Sequence, residues 1–333
     1  MAREHSHVRK RRRGCLSGCL VKIILLLGMA ALLSVLACSA GIVKNDPETG
    51  APYVSLEGVG LGGIDLGSFA PQAFVSGIEL PQIGWPYRVE RSGLTVKTLR
   101  AGNGEAVLVC SDGYTMLLGG GEGKGVLLCG QLLLSGVNRL SAAAAMQSAD
   151  TQIGGMALAV KLMKPGYLLC PDTQIKTGAY NDLMRAAEGV EGIQCIAPEQ
   201  GLTFMLGRAK VSVIGPRSKH HTDERDDGLS IRIDYGNTSV LVMGGVTQDG
   251  ERDMISSAPV AADVLIASSG GGSAGTSTAF AEAVSPQYAL LTGSEPANAV
   301  KVRLERVGAQ VYTAKEHGVM TVFSDGGNIR IEP

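Results

Sequence analysis

The residues able to do chemistry are few, and most of them stand alone. Of five histidines in the 333-residue chain, three (His220, His221 and His317) fall in its C-terminal part. His220-His221-Thr222-Asp223-Glu224-Arg225-Asp226-Asp227 is the only run there that joins histidines to acids. Imidazoles beside carboxylates can hold a divalent cation, but neighbouring histidines on so charged a loop are expected to face solvent. His317, within Lys315-Glu316-His317-Gly318, reads as a surface turn residue. Ser268, Ser269 and Ser273 offer hydroxyls, yet a serine nucleophile needs a base within hydrogen-bond reach, and no histidine accompanies them. Glu295 is the one acid that could serve in principle. Gly119-Gly120-Gly121-Glu122-Gly123-Lys124-Gly125 has the look of a phosphate-binding loop, but Leu118 and Gly125 stand where that motif requires Gly and Ser or Thr. A glycine-rich turn opening onto a helix at Val126 explains the run.

The stretch from Gly136 to Gly155 says more. An alanine-rich strand candidate leads into a polar loop and then into Ile153-Gly154-Gly155. This order resembles the metal-binding segment of metallo-β-lactamase-fold hydrolases, in which a strand ends in His-x-[His/Asp]-x-Asp-His and a helix opens on Ile-Gly-Gly. Counting back from Ile153 without a gap, the ligand positions hold Gln147, Ala149, Thr151 and Gln152. A hydrolytic metal needs imidazole nitrogens or carboxylate oxygens with one coordination position left for water. Neutral amides, a methyl group and a hydroxyl do not supply that.

The wider chain carries the same resemblance and the same losses. Leu99 to Val109, with Gly102-Asn103-Gly104-Glu105-Ala106 at its centre, is similar to the family's opening strand and turn, Leu-Asp-Val-Gly-Gln-Gly-Asp-Ala. Ser111 to Gly121 resembles the next hairpin, with Gly119 where an aspartate is usual. Leu229 to Gly245 resembles the paired strands that end in Thr-Gly-Asp, with Gly245 in place of the bridging aspartate. Ala262 to Gly271 is similar to the strand that runs into Gly-His-His-Gly-Ser, and Ser269 and Gly270 stand nearest the two histidines. Leu291-Thr292-Gly293-Ser294-Glu295-Pro296 places Glu295 at the last histidine. The resemblance runs from Leu94 to Pro333 and is closest to the extracytoplasmic domain of ComEC-type competence proteins. A C-terminal hairpin from Gly308–Tyr312 to Val319–Phe323 fits it too. It implies a metal-dependent hydrolase, with a nuclease role proposed in DNA uptake. The substituted ligand positions imply that this activity is lost, with neither metal nor cofactor. They leave a vestigial pocket of Gln147, Ala149, Thr151, Gln152, Gly245, Ser269, Gly270 and Glu295. A small ligand or peptide would meet Arg100, Gln147, Gln152, Ser269 and Glu295.

A formal net charge of −1 and 4% aromatic residues give no basic face and no stacking platform, so direct nucleic-acid binding is not expected. The basic residues that cluster, Arg9 to Arg13, precede an uncharged stretch from Ile23 to Val43 that has the length of a membrane span. The positive-inside rule then puts residues 1–22 in the cytoplasm and the chain beyond Lys44 outside. A cleaved signal peptide ending near Ala37-Cys38-Ser39-Ala40 competes, as does a lipoprotein acylated on Cys38. Residues 44–88, rich in Gly and Pro, read as a linker to a domain over 89–333. Cys110, Cys129, Cys170 and Cys195 are either extracytoplasmic disulfide partners, with Cys170 and Cys195 ending neighbouring strands, or buried thiols. Cys15 and Cys19 flank the inner membrane edge.

The elements that must position these residues alternate between short β runs and helical ones. Strand candidates are Leu94–Leu99, Glu105–Cys110, Thr115–Leu118, Ala142–Ala145, Tyr167–Leu169, Ile193–Ile196, Ala209–Ile214, Leu229–Tyr235, Ser239–Met243, Val264–Ile266, Tyr288–Leu291 and Val311–Thr313. Helix candidates are Val126–Leu134, Gly155–Met163, Ala179–Ala187, Gln248–Ser256, Ser277–Val284 and Ala297–Val307. Pro165-Gly166 stops one helix, Ser277 caps another and Asn237 marks a hairpin turn. No internal repeat is evident. The expected fold is α/β, a four-layer αββα metallo-β-lactamase-like sandwich preceded by one transmembrane helix. The expected protein is a bacterial pseudoenzyme, single-pass in the cell membrane, whose outer domain binds an envelope protein or a small ligand. Alternatives are an active metallo-hydrolase with an unconventional site and an accessory factor in DNA uptake.

Overall fold

The computed structural model describes residues 43–45, 52–54 and 92–333, apart from Asn103, Lys124 and His220. The basic cluster and nearly all of the expected membrane span lie outside the described residues. Among the described residues no helix is long and apolar enough to cross a membrane. Where the expected span meets the expected linker, β1 (Val43–Asn45) pairs antiparallel with β2 (Pro52–Val54). The chain divides into two units, Met1–Ile83 and Gly84–Pro333.

The second unit holds two sheets. Strands β3 (Leu94–Ala101), β4 (Gly104–Ser111), β5 (Tyr114–Gly119), β6 (Ala142–Ala144), β7 (Tyr167–Leu169) and β8 (Gln194–Ile196) form one, completed by β16 (Thr321–Ser324) and β17 (Ile329–Glu332). Its order is β17-β16-β3-β4-β5-β6-β7-β8. The other comprises β9 (Thr203–Leu206), β10 (Ala209–Gly215), β11 (Ser230–Tyr235), β12 (Thr238–Met243), β13 (Val264–Ile266), β14 (Tyr288–Leu291) and β15 (Gln310–Thr313). Its order is β15-β14-β13-β12-β11-β10-β9. The two halves share one plan, an antiparallel meander followed by parallel strands with helical crossovers, although no sequence repeat announces it.

Alternation along the strands explains the layers. On β4, Val107 and Val109 point into a core shared with Val211, Ile231, Ile233 and Val242 of the facing sheet. Ala106, Leu108 and Cys110 point the other way, into a core with Leu128, Leu132, Met156 and Val160 of the helices Val126–Leu134 and Met156–Met163. The second sheet likewise buries Leu241, Leu265 and Leu291 against Phe280, Val300 and Leu304 of Thr278–Val284 and Asn298–Arg306. Period-2 alternation on strands buried on both faces produces helix, sheet, sheet and helix as four layers.

The local signals act as their chemistry requires. Ser277 accepts a hydrogen bond from the Phe280 N–H and caps its helix. Gly236 (φ 60°) and Asn237 make the two-residue turn between Tyr235 and Thr238. The expected C-terminal hairpin is not formed. Its first arm, in β15, pairs parallel with β14, whereas the second, in β16, pairs with β3 in the opposite sheet. The short helix Ala314–His317 carries the chain across. In the second unit two strands, β9 and β17, were not expected: each has four residues, lies at a sheet edge and is largely unburied, so neither shows a hydrophobic pattern. Cys110, Cys129 and Cys170 are buried free thiols, and Cys195 is exposed and also unpaired. Burial pushes the thiols of Cys110 and Cys170 up to about 12, which leaves them unreactive.

Candidate functional site

The parallel strands of both sheets point their carboxyl ends at one edge, which is where open α/β sheets place their ligand sites. The loops after β6, β12, β13 and β14 meet there. A backbone bond from the Leu229 N–H to the Met146 carbonyl, 2.7 Å long, ties the two halves together. Gln147 is buried, and its side-chain amide donates to the Arg225 carbonyl at 3.2 Å and to the Gly245 carbonyl at 3.4 Å. Gly245 has φ 86°, and a Cβ there would lie 2.8 Å from both polar atoms of the Gln147 amide. The glutamine thus occupies the volume that a side chain at Gly245 would need.

Glu105, at the start of β4, is the acid at this edge. One carboxylate oxygen accepts from the Gly270 N–H at 2.6 Å and from the Thr292 hydroxyl at 2.5 Å. It therefore clamps the loop after β13 to the loop after β14. The residue as a whole keeps partial exposure, but its side chain lines an enclosed cavity. The enclosure of the carboxyl, not the residue average, governs its ionisation. Burial pushes Glu105 up to about 7, against the opposing pull of its two hydrogen bonds.

That cavity is lined by Glu105, Met146, Gln152, Met243 and Ile266, among others, and measures about 10 Å³, the room of one water molecule. Gln152 lies on the short helix Asp150–Ile153, and its carbonyl accepts from the Gly120 N–H at 2.7 Å. Ala149 is the residue before that helix, and Thr151 is exposed on it. Ser269 (φ 49°, ψ 40°) and Gly270 occupy the turn after β13. Glu295 lies elsewhere: its side chain is 82% exposed and pairs with Lys315 at 3.5 Å. Arg100 is exposed, and its backbone is held by Gln131. Gln147 and Gly245 therefore meet, Gln152 reaches the cavity, Gly270 touches it through Glu105, and Glu295 and Arg100 face solvent. Glu105 was legible in the sequence as the acid of the opening turn; the missing signal was that its strand alternation turns it inward.

The glycine-rich run also has its role here. A Cβ on Gly155 would lie 2.4 Å from the Gly120 carbonyl, and one on Gly104 only 1.7 Å from the Thr151 carbonyl. Gly119, Gly125, Gly154 and Gly155 are likewise pressed on backbone atoms, which only glycine permits.

A dinuclear hydrolytic centre does not fit these residues. It concentrates up to four positive charges and requires several carboxylates and imidazoles. The edge offers amides, glycines, hydroxyls, the Glu105 carboxyl and, on the β10–β11 connection, the Asp226 carboxylate, both of whose oxygens are taken up by Thr247. Among the described residues no group of three or more His, Cys, Asp or Glu is placed to hold a metal ion.

Two face-to-face sheets flanked by helices, with their loops gathered at one edge, define the metallo-β-lactamase-like fold. Among solved structures, the chain is similar to a CmlA β-hydroxylase variant (TM-score 0.50, 16% identity, 69% of this chain and 54% of that one). It therefore spans about half of that protein. It is also similar to the metallo-β-lactamase fold protein YhfI from Bacillus subtilis (TM-score 0.48, 16% identity, 68% of this chain and 98% of that one). At such identities the likeness concerns the fold alone. No family model and no curated protein matches the sequence.

Proposed function

We propose that this chain is a pseudo-hydrolase of the metallo-β-lactamase-like fold, related to ComEC-type domains and held at the membrane by residues 23–43. Its outer domain binds or scaffolds a partner at the cell envelope. The observation that supports it is the closed edge. Where a hydrolase of this fold needs an open metal site and room for substrate, the halves here are stitched together by Leu229 to Met146, Gln147 to Gly245 and Glu105 to Gly270 and Thr292. The Glu105 carboxyl among neutral groups at the cavity would not lower the pKa of a bound water enough for hydrolysis. The order of the motifs supports the ComEC kinship, and the basic run before the apolar stretch supports the anchor.

Two measurements test this reading. Elemental analysis and calorimetric titration of the purified chain are expected to find no stoichiometric Zn²⁺ or Mn²⁺, together with no nuclease, phosphodiesterase or β-lactamase activity. One tightly held transition metal per chain, removable together with an activity, would overturn it. Protease protection on intact cells is expected to show the C-terminal domain accessible from outside and the chain still carrying its N-terminus. A mature form starting near Ala40, or a domain shielded from protease, would reject the anchor.

A further inference from the structure

Part of the histidine-and-acid run of the β10–β11 connection is withdrawn from solvent, although Thr222, Glu224 and Arg225 stay exposed. The His221 side chain is only 19% exposed, and the Asp227 side chain only 4%. The Nδ1 of His221 lies 2.8 Å from Asp227 Oδ1, and the His221 backbone N–H donates to the same oxygen at 3.0 Å. On the far side of the ring, Nε2 lies 3.0 Å from the Ser218 hydroxyl oxygen. Ser218 itself is exposed.

We propose that Ser218, His221 and Asp227 form a hydrolytic site, in which Ser218 is the nucleophile and the substrate is an ester bearing a cationic group. This goes beyond the pseudo-hydrolase reading and does not depend on it, because it uses no metal.

The chemistry follows from the order of the three groups. A carboxylate only accepts hydrogen bonds, so Asp227 requires the proton on Nδ1 and leaves the Nε2 lone pair facing the serine. That is the tautomer a general base needs. The burial gradient also suits the roles: an enclosed acid, a largely covered base and a hydroxyl open to substrate. The connection is held from several sides. Both carboxylate oxygens of Asp226 accept from Thr247, at 2.7 Å each, and Gln147 holds the Arg225 carbonyl at 3.2 Å. Lys219 pairs with Glu199 at 3.1 Å and with Asp172 at 3.4 Å. Such anchoring keeps a nucleophile and its base in register.

In the first step the Ser218 oxygen bonds to the ester carbonyl carbon while His221 Nε2 takes the hydroxyl proton. The carbon–oxygen bond to the leaving alcohol then breaks, and that alcohol receives the proton. Water cleaves the acyl-serine by the reverse sequence and restores Ser218. Asp227 is a positioning residue that holds the ring. Beside His221 an open cleft of about 660 Å³ is lined by Asp223, Glu224, Asp226 and Asp249; Arg225 pairs with Asp223 and Arg252 with Asp249, which leaves Glu224 and Asp226 as the excess carboxylates. That excess of carboxylates favours a positively charged group on the substrate.

The test uses the full purified chain and a fluorophosphonate probe, with mass spectrometry to place the label. Labelling is expected at Ser218, at least 100-fold faster than at an ordinary exposed serine such as Ser256, and unchanged by a metal chelator. His221→Gln is expected to slow it by roughly 100-fold or more. A low-field imidazole N–H proton resonance is expected in the parent and lost in Asp227→Asn. Benzoyl-arginine ethyl ester is expected to be hydrolysed, faster than a benzoyl-glutamate ester, and Ser218→Ala, which removes only an exposed hydroxyl, is expected to abolish this. Ser218→Ala keeps the test open should His221→Gln unfold. Labelling of Ser218 no faster than Ser256, or indifferent to His221, would overturn the site. Equal turnover of the two esters would overturn the substrate class. A chelator-sensitive activity that survives Ser218→Ala would instead count against the pseudo-hydrolase reading.

Discussion

Gly104→Ala is expected to lower the stability of the C-terminal domain by about 3 kcal/mol or more, a large part of the total for an ordinary domain. The added methyl carbon would sit 1.7 Å from the Thr151 carbonyl oxygen and 2.8 Å from both the Glu122 nitrogen and the Gly121 Cα. All three are backbone atoms in the packed junction between the opening turn and the helix Asp150–Ile153, so no side-chain rotation relieves the clash. The check is urea unfolding of the variant beside Gly130→Ala. Gly130 lies inside the helix Val126–Leu134 with nothing within 4 Å of its ideal Cβ. Alanine there is expected to stabilise by about 0.5–1 kcal/mol through helix propensity. Equal midpoints for the two variants would show that the junction is not packed as described.

Glu105→Gln is expected to remove a pH dependence of stability and to make the protein about 3 kcal/mol more stable at pH 8. Burial raises the Glu105 carboxyl from 4.5 to about 7 in the folded protein. Between those values the folded state keeps a proton that the unfolded state has released, so this group's contribution falls as pH rises. Its stabilising share is fully present below about pH 4.5 and is lost by the time pH passes about 7. A glutamine is neutral throughout, and its carbonyl oxygen can still accept from Gly270 and Thr292. Glu251, also buried and raised by burial, accepts from the Thr276 and Ser277 N–H groups and slopes both proteins alike. The readout is therefore the difference between the two unfolding curves, near zero at pH 4.5 and growing toward pH 8. Parallel curves over that range would mean that Glu105 is not enclosed.

How much the sequence disclosed depends on how local the determining interaction is. Alternation and length gave Tyr167–Leu169, Val264–Ile266, Tyr288–Leu291 and the helix Val126–Leu134 to the residue. Each is decided by its own apolar pattern and its own stop signals. The motif order gave the two-sheet fold, and glycines such as Gly104 and Gly155 sit in it where backbone closely approaches backbone.

What only the tertiary structure decided was pairing across distance and the direction of side chains. Val311 and Val322 alternate alike, yet they lie in opposite sheets, because strand partners are chosen by neighbours far away in the chain. Glu295 aligned with a metal ligand but turned to solvent and to Lys315, whereas Glu105, 165 residues before Gly270, became the clamp of the closed edge. His221 looked like a solvated residue on a charged loop, and its burial against Asp227 follows from how the connection folds back on Thr247 and Gln147. Composition and period set which residues can be buried and which chemistry is available. The three-dimensional closure of the chain sets which of those groups lose their water, and for Glu105 that loss accompanies its role as a clamp between two loops.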